Sequence, residues 1–152
     1  MKIAPIFLGG ACGHTTWRTD ITIPILAHEQ IPYFNPQLPD GAWTPEQQKV
    51  EMQAKNAADI WLFVISGDTR SIASIAEAAY RIGERRAIVL AIEDIPAGTK
   101  IDNVALNPSE VEDLNRGRAY LREMAEKHDI PVFIDIAAAT RHAAGLAKMA
   151  AK

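Results

Sequence analysis

The chain has 152 residues and a mass of 16.6 kDa, a size that one hydrophobic core can stabilise. A hydrophobic share of 48% and a charged share of 23% are those of an ordinary globular protein, which excludes a disordered or fibrous chain. The net charge of -3, without a stripe of Lys and Arg, makes polymeric nucleic acid an unexpected partner, and no apolar run reaches the ~18 residues of a membrane span.

Cys12 is the single cysteine and cannot form an internal disulfide, while His14, His28, His128 and His142 lack the close spacing of a metal site. The expectation is a reducing, cytoplasmic setting with no metal and no cofactor. Met1 to Leu8 holds a Lys and a Pro and runs into two glycines, which is too short and too interrupted for a secretion signal.

In chain order, Ile3 to Leu8 is a short β-rich run stopped by Gly9-Gly10 and predicts a first strand buried on both faces. Thr16 to Glu29 places Trp17, Ile21, Ile25 and Leu26 near helical spacing, with Pro24 predicting a kink or irregular turn. A brief strand at Ile31 to Phe34 leads into the turn-rich Asn35 to Gly41. Thr44-Pro45-Glu46-Gln47 then offers a capping box for a helix whose buried stripe would be Val50, Ala54, Ala57 and Ala58. Ile60 to Ile65 is the strongest strand, followed by Ser66-Gly67-Asp68, a helix from Ile72 to Gly83 and a strand from Ala87 to Ile92. Asn107-Pro108-Ser109-Glu110 opens another capped helix, Pro131 to Ile134 is a fifth strand, and an Ala-rich helix runs from Ala137.

This alternation predicts a single domain over residues 1–152: an α/β three-layer sandwich with a five-stranded parallel sheet, flavodoxin-like or Rossmann-like. Ligands bind such sheets beyond the strand carboxyl ends, which directs attention to the loops after Leu8, Phe34, Ile65, Ile92 and Ile134.

Gly9-Gly10-Ala11-Cys12-Gly13 would let a ligand approach backbone amides, or serves only as a tight turn; its spacing is neither a dinucleotide fingerprint nor a P-loop. Arg18, after Trp17, could clamp an anion or simply sit on the surface. Ser66 to Ser71 and then Ser74 to Glu77 gather polar groups, although Ser74 and Glu77 also read as a capping box and Asp68 as a turn residue. Asp59 could end a helix, Glu51 could belong to a solvated face, and Asp135 could cap the last helix.

Taken together, Phe7-Leu8-Gly9-Gly10, Trp17-Arg18, Phe34-Asn35-Pro36-Gln37, Ala58-Asp59-Ile60, Thr69-Arg70 with Ser74 and Glu77-Ala78, and Asn115-Arg116-Gly117-Arg118 resemble the divergent branch of the nucleoside 2-deoxyribosyltransferase superfamily. The resemblance spans Ile3 to Ile134 and implies cleavage of the N-glycosidic bond of 2'-deoxynucleosides, or of their monophosphates, with deoxyribose passed to another base or to water. It implies Glu77 as the nucleophile, Asp59 as a carboxylate near the base, Gln37 as a nucleoside contact and Phe7 where the first strand often bears Tyr. Ser71 stands where better-known members carry a sugar-binding Asp, with Asp68 or Arg70 as substitutes. Small-molecule partners follow, a nucleoside or nucleotide and a free base.

Chemically, a carboxylate suits this role because glycosidic cleavage passes through an oxocarbenium-like state that an anion stabilises and then captures as an ester. Asp59 or Asp68 would protonate the departing base. The expected site is therefore Glu77, Asp59 and Asp68 for catalysis, with Phe7, Gly9, Gly10, Trp17, Arg18, Asn35, Gln37, Arg70, Ser71 and Ser74 for binding. A homo-oligomer is expected from the apolar helix Ala137 to Ala151. The alternative is a non-catalytic module that senses a nucleotide or a derivative of one, with Glu77 only capping a helix.

Overall fold

Side chains alternate across a strand, so a strand can be apolar at every position only if both of its faces are covered. Ile60–Ile65 satisfies this condition and lies at the centre of the molecule. The computed structural model describes residues 2–152. In chain order it contains β1 (Ile6–Gly10), a π-helical turn (Arg18–Thr22) running into α1 (Ile23–His28), β2 (Tyr33–Phe34), α2 (Pro45–Ala57), β3 (Ile60–Ile65), α3 (Ile72–Gly83), β4 (Ala87–Ile92), β5 (Lys100–Ile101), β6 (Val104–Ala105), α4 (Pro108–Lys127), β7 (Val132–Phe133) and α5 (Ile136–Ala150).

Five strands form a parallel sheet in the order β2-β1-β3-β4-β7, the flavodoxin-like order, and β5 and β6 form a separate antiparallel hairpin. Ile60, Leu62 and Val64 of β3 join a cluster with Leu26, Ala139, Ala143 and Ala147 on one face. Trp61, Phe63 and Ile65 join Ala78, Ile82, Leu121 and Ala125 on the other. The three layers are thus α1 with α5, the sheet, and the α2–α4 side.

Local chemistry explains the helix ends. The Thr44 hydroxyl accepts from Gln47 N at 3.2 Å, Asn107 and Glu110 form a complete capping box, and Asp135 accepts from Ala138 N at 2.7 Å. The irregularity expected at Pro24 takes the form of the wide turn just before it, where Ile23 N reaches back to Arg18 O.

One expectation needs correction. None of α2 is buried, and Val50 is exposed; Ala54 and Ala58 alone of the predicted stripe pack on the core, because α2 lies at the sheet margin. One face of α5 is packed within the chain, while Met149 near its end is exposed. Ile136, Ala139, Ala143, Ala144 and Ala147 pack on the sheet, and Thr140 bonds Thr22 at 3.0 Å. No helix is long and apolar enough to cross a membrane among the described residues.

Candidate functional site

The strand order reverses between β1 and β3, so the loops after these two strands splay apart and leave a crevice. The first loop starts at Gly10, whose φ of +135° and whose contact with the Val64 carbonyl leave no room for a Cβ. Arg18 lies fully buried beneath it. Its Nε and Nη2 donate to the Leu8 carbonyl at 3.2 and 3.0 Å, Nη2 also to Gly10 and Nη1 to Ala11, both at 3.0 Å. Its guanidinium stacks 4.3 Å from the Trp17 ring. Burial lowers the Arg18 pKa, with Cys12 and Glu51 pulling it back up. Arg18 is therefore a strap for the glycine loop, and its donors face carbonyls instead of an incoming anion.

Gln37 ties the same loop from the other side, with its Nε2 at 3.0 Å from the carbonyls of Cys12, Gly13 and Thr15. Asn35 accepts from the Gln37 backbone at 3.0 Å, an Asx turn that aims the amide. Partial burial raises the Cys12 pKa, against the pull of the neighbouring Arg18.

The loop after β3 is built by a second buried arginine. Arg118 of α4 donates Nε to Glu93 O at 2.8 Å, Nη2 to Ser66 O and Thr69 O at 2.9 and 2.7 Å, and Nη1 to Arg70 O and Leu114 O at 3.4 and 3.2 Å. Burial lowers its pKa too. Above it, Thr69 Oγ1 lies 2.6 Å from Ser71 Oγ and 3.2 Å from Ser66 Oγ. Ser71 is buried with φ +55°, in the left-handed region, and makes no side-chain cap to α3.

Glu77 is the sixth residue of α3, whose N-cap is Ser71, so the capping box with Ser74 does not form. Its half-buried carboxylate instead accepts from Lys55 Nζ at 2.7 Å, and the same ammonium lies 3.0 Å from Glu51 and 5.5 Å above the Phe7 ring. Burial alone would lower the Lys55 pKa, but the two carboxylates outweigh it and hold the group above its ordinary value. Phe7 itself is buried, stacked on Phe34 at 5.7 Å and tilted on Trp61 at 4.9 Å. The Lys55 cation thus joins two carboxylates above the buried Phe7 ring. Ser74 stands one turn before Glu77 and is half-buried.

Three clefts open onto this edge. The largest, about 870 Å³, lies between the loops 11–15 and 68–71 and the tip of the β5–β6 hairpin. A second, about 500 Å³, is walled by Cys12, Phe34, Asn35, Trp43, Gln47 and Glu51. The third, about 440 Å³, includes Trp17, Asp20, Asp68, Glu93 and Asp94, and burial followed by the Asp68 charge raises the Glu93 pKa.

The structure thus gathers Gly9, Gly10, Trp17, Arg18, Asn35, Gln37, Asp68, Arg70 and Ser71 at the carboxyl edge, with Phe7, Ser74 and Glu77 on the elements beneath it. Asp59 is not among them. It is exposed just before β3, at the amino edge, where it lines a recess with Lys2, Ala4 and Ala147, and one strand length, about 20 Å, separates it from Ser66. Lys55, Glu51 and Arg118 were not expected in these roles. The i,i+4 spacing of Glu51 and Lys55 was the available signal. Among the described residues, no group of three or more His, Cys, Asp or Glu side chains is placed to hold a metal ion.

A crevice at the switch point of a flavodoxin-like sheet is where α/β folds of this kind place their ligands, and here a paired carboxylate stands on the helix after the central strand. A family model described as nucleoside 2-deoxyribosyltransferase like matches residues 4–95, more than half of the chain, and the chain belongs to that family. No curated protein matches. Among solved structures, the TIR domains of the activated Roq1 resistosome directly recognizing the pathogen effector XopQ superpose with a TM-score of 0.50 at 14% identity, over 91% of this chain and 96% of that one. At that identity the likeness shows the fold alone.

Proposed function

We propose that this chain cleaves the N-glycosidic bond of a 2'-deoxynucleoside, or of its monophosphate, with Glu77 as nucleophile. The observation that carries the reading is the Glu77 carboxylate, which caps no helix and is paired with Lys55 at 2.7 Å beside the Phe7–Phe34 stack. A carboxylate anion at this place would stabilise positive charge at the anomeric carbon.

In the first step a Glu77 oxygen bonds to the anomeric carbon as the bond to the base nitrogen breaks, and the departing base takes the electron pair and a proton. Asp68, on the loop over the crevice, supplies that proton; Asp59 is too far away to do so. In the second step a nitrogen of another base, or water, attacks the same carbon and passes its proton back to Asp68, the bond from the carbon to the Glu77 oxygen breaks, and the Glu77 carboxylate returns. Phe34, half-buried on the wall of the second cleft and backed by Phe7, is the aromatic surface offered to the planar base.

Incubation with a panel of 2'-deoxynucleosides, their monophosphates and free bases, with chromatography of the products, tests the reading. Exchange or hydrolysis that Glu77→Gln lowers by orders of magnitude supports it. Binding without turnover in the wild type rejects it in favour of a sensor.

A further inference from the structure

A carboxylate that attacks carbon gives up its charge, and one that leaves carbon regains it, so any group paired with Glu77 acts on the two steps in opposite directions. Among the described residues its hydrogen-bond partner is Lys55, which donates to Oε1 at 2.7 Å and leaves Oε2 to bond to carbon. The same ammonium lies 3.0 Å from Glu51 Oε1, one turn back on α2. It also stands 5.5 Å from the centre of the Phe7 ring, whose electron-rich face favours a cation. One cation thus serves two carboxylates.

In the resting site the Lys55 ammonium is shared by the Glu51 and Glu77 carboxylates, which leaves a net negative charge. Once Glu77 is an ester its charge is gone, and Lys55 and Glu51 remain as a neutral pair. Without Glu51, esterification would strand an ammonium whose side chain is only 20% exposed, and an uncompensated charge in such a place is costly. Without Lys55, two carboxylates would face each other, and the return of the Glu77 charge would become the costly step. Burial pulls the Lys55 pKa down and the two carboxylates more than restore it, so the cation is present at neutral pH.

We infer that Lys55 is a positioning residue that promotes release of the sugar from Glu77, and that Glu51 keeps Lys55 in charge balance while the ester exists. The inference rests on the proposed role of Glu77 as nucleophile. In the release step a base nitrogen or water bonds to the anomeric carbon and passes its proton to Asp68. The bond from that carbon to the Glu77 oxygen breaks, and its electron pair stays on the carboxylate. Lys55 hydrogen-bonds the carboxylate as its charge forms, which lowers the barrier to its departure.

Rapid-quench kinetics over the panel of 2'-deoxynucleosides and their monophosphates reads the two steps apart, as a burst of free base and the steady rate that follows. Mass spectrometry of the intact, quenched protein counts the ester. Lys55→Met is expected to release about one base per site in the burst and then to turn over about tenfold or more slowly than wild type, with the deoxyribosyl adduct accumulating. Lys55→Arg, which keeps a cation and its donors, should recover the steady rate and lose the adduct. Glu51→Gln should give the opposite signature, a slower first step and no accumulated ester. Partial misfolding lowers burst and steady rate together, so it does not mimic either pattern. A Lys55→Met variant that slows both steps alike, or neither, would overturn the inference and leave the glycosidic reading intact, provided that Glu77→Gln is inactive. Accumulation of ester in Glu51→Gln would also overturn it. Wild-type protein that turns over no member of the panel would reject the glycosidic reading and this inference with it.

Discussion

Arg18 and Arg118 are both fully buried, and their hydrogen bonds run to backbone carbonyls, yet they organise the two sides of the crevice differently. Arg18 gathers the carbonyls of Leu8, Gly10 and Ala11, which lie seven to ten residues away on its own connection. Arg118 reaches carbonyls 25 to 52 residues away, from Ser66 to Arg70 and at Glu93, besides one in its own helix. The glycine loop is thus shaped locally, whereas the loop that leads into Glu77 exists only once α4 has packed. A guanidinium suits both tasks, since its planar fork of five donors can satisfy several carbonyls at once.

If that contrast is right, Arg118→Met has the largest effect on stability. It leaves carbonyls of three segments buried without donors and should cost about 3–5 kcal/mol, read as a lowered midpoint in urea, with faster amide exchange across 66–71. Stability within about 1 kcal/mol of wild type would show that the loop holds without its strap.

Arg18→Met should cost less, about 2–4 kcal/mol, because fewer carbonyls are orphaned and Gln37 still holds the loop through Cys12, Gly13 and Thr15. Its exchange phenotype should stay within residues 9–15. Spread of that phenotype to 66–71 would erase the distinction between a local and a long-range strap.

The smallest expected effect is a gain. Burial and the neighbouring Asp68 raise the Glu93 pKa, so its ionised form carries a cost in the folded state at neutral pH that is absent once the group is protonated. Glu93→Gln should therefore stabilise the protein at pH 7 by less than about 1 kcal/mol, as solvent screens a group of this exposure, and the gain should vanish below the ordinary Glu value of about 4.3. A gain that persists at pH 3 would assign it to packing instead.

The same contrast shows what the sequence could reveal. β1, β3 and β4 were legible because strands buried on both faces are continuously apolar, and the caps at Thr44, Asn107 and Asp135 because capping is local. The β5–β6 hairpin escaped notice: its strands have two residues each, and the signal was confined to Asp102-Asn103, both at positive φ. Arg18 was found by its place in the chain but misassigned, because burial cannot be read from one residue. Asp59 was misplaced although the rule that ligands sit beyond strand carboxyl ends already argued against a residue preceding its strand. The Glu77–Lys55 pair joins two helices across 22 residues of sequence, which no local pattern encodes.

The central claim is that Glu77 is the nucleophile this scaffold positions, and the direct test is to trap its ester. A 2-fluoro-2-deoxynucleoside, and its 5'-monophosphate, would slow breakdown of the intermediate by destabilising the oxocarbenium-like state that leads out of it. Peptide mass spectrometry should then place the sugar adduct on Glu77, and Glu77→Gln should abolish the adduct while unfolding within about 1 kcal/mol of wild type, the scale of a partly exposed ion pair. An adduct on Asp68, on Glu51 or on Asp59, or a Gln variant with wild-type turnover, would contradict the account.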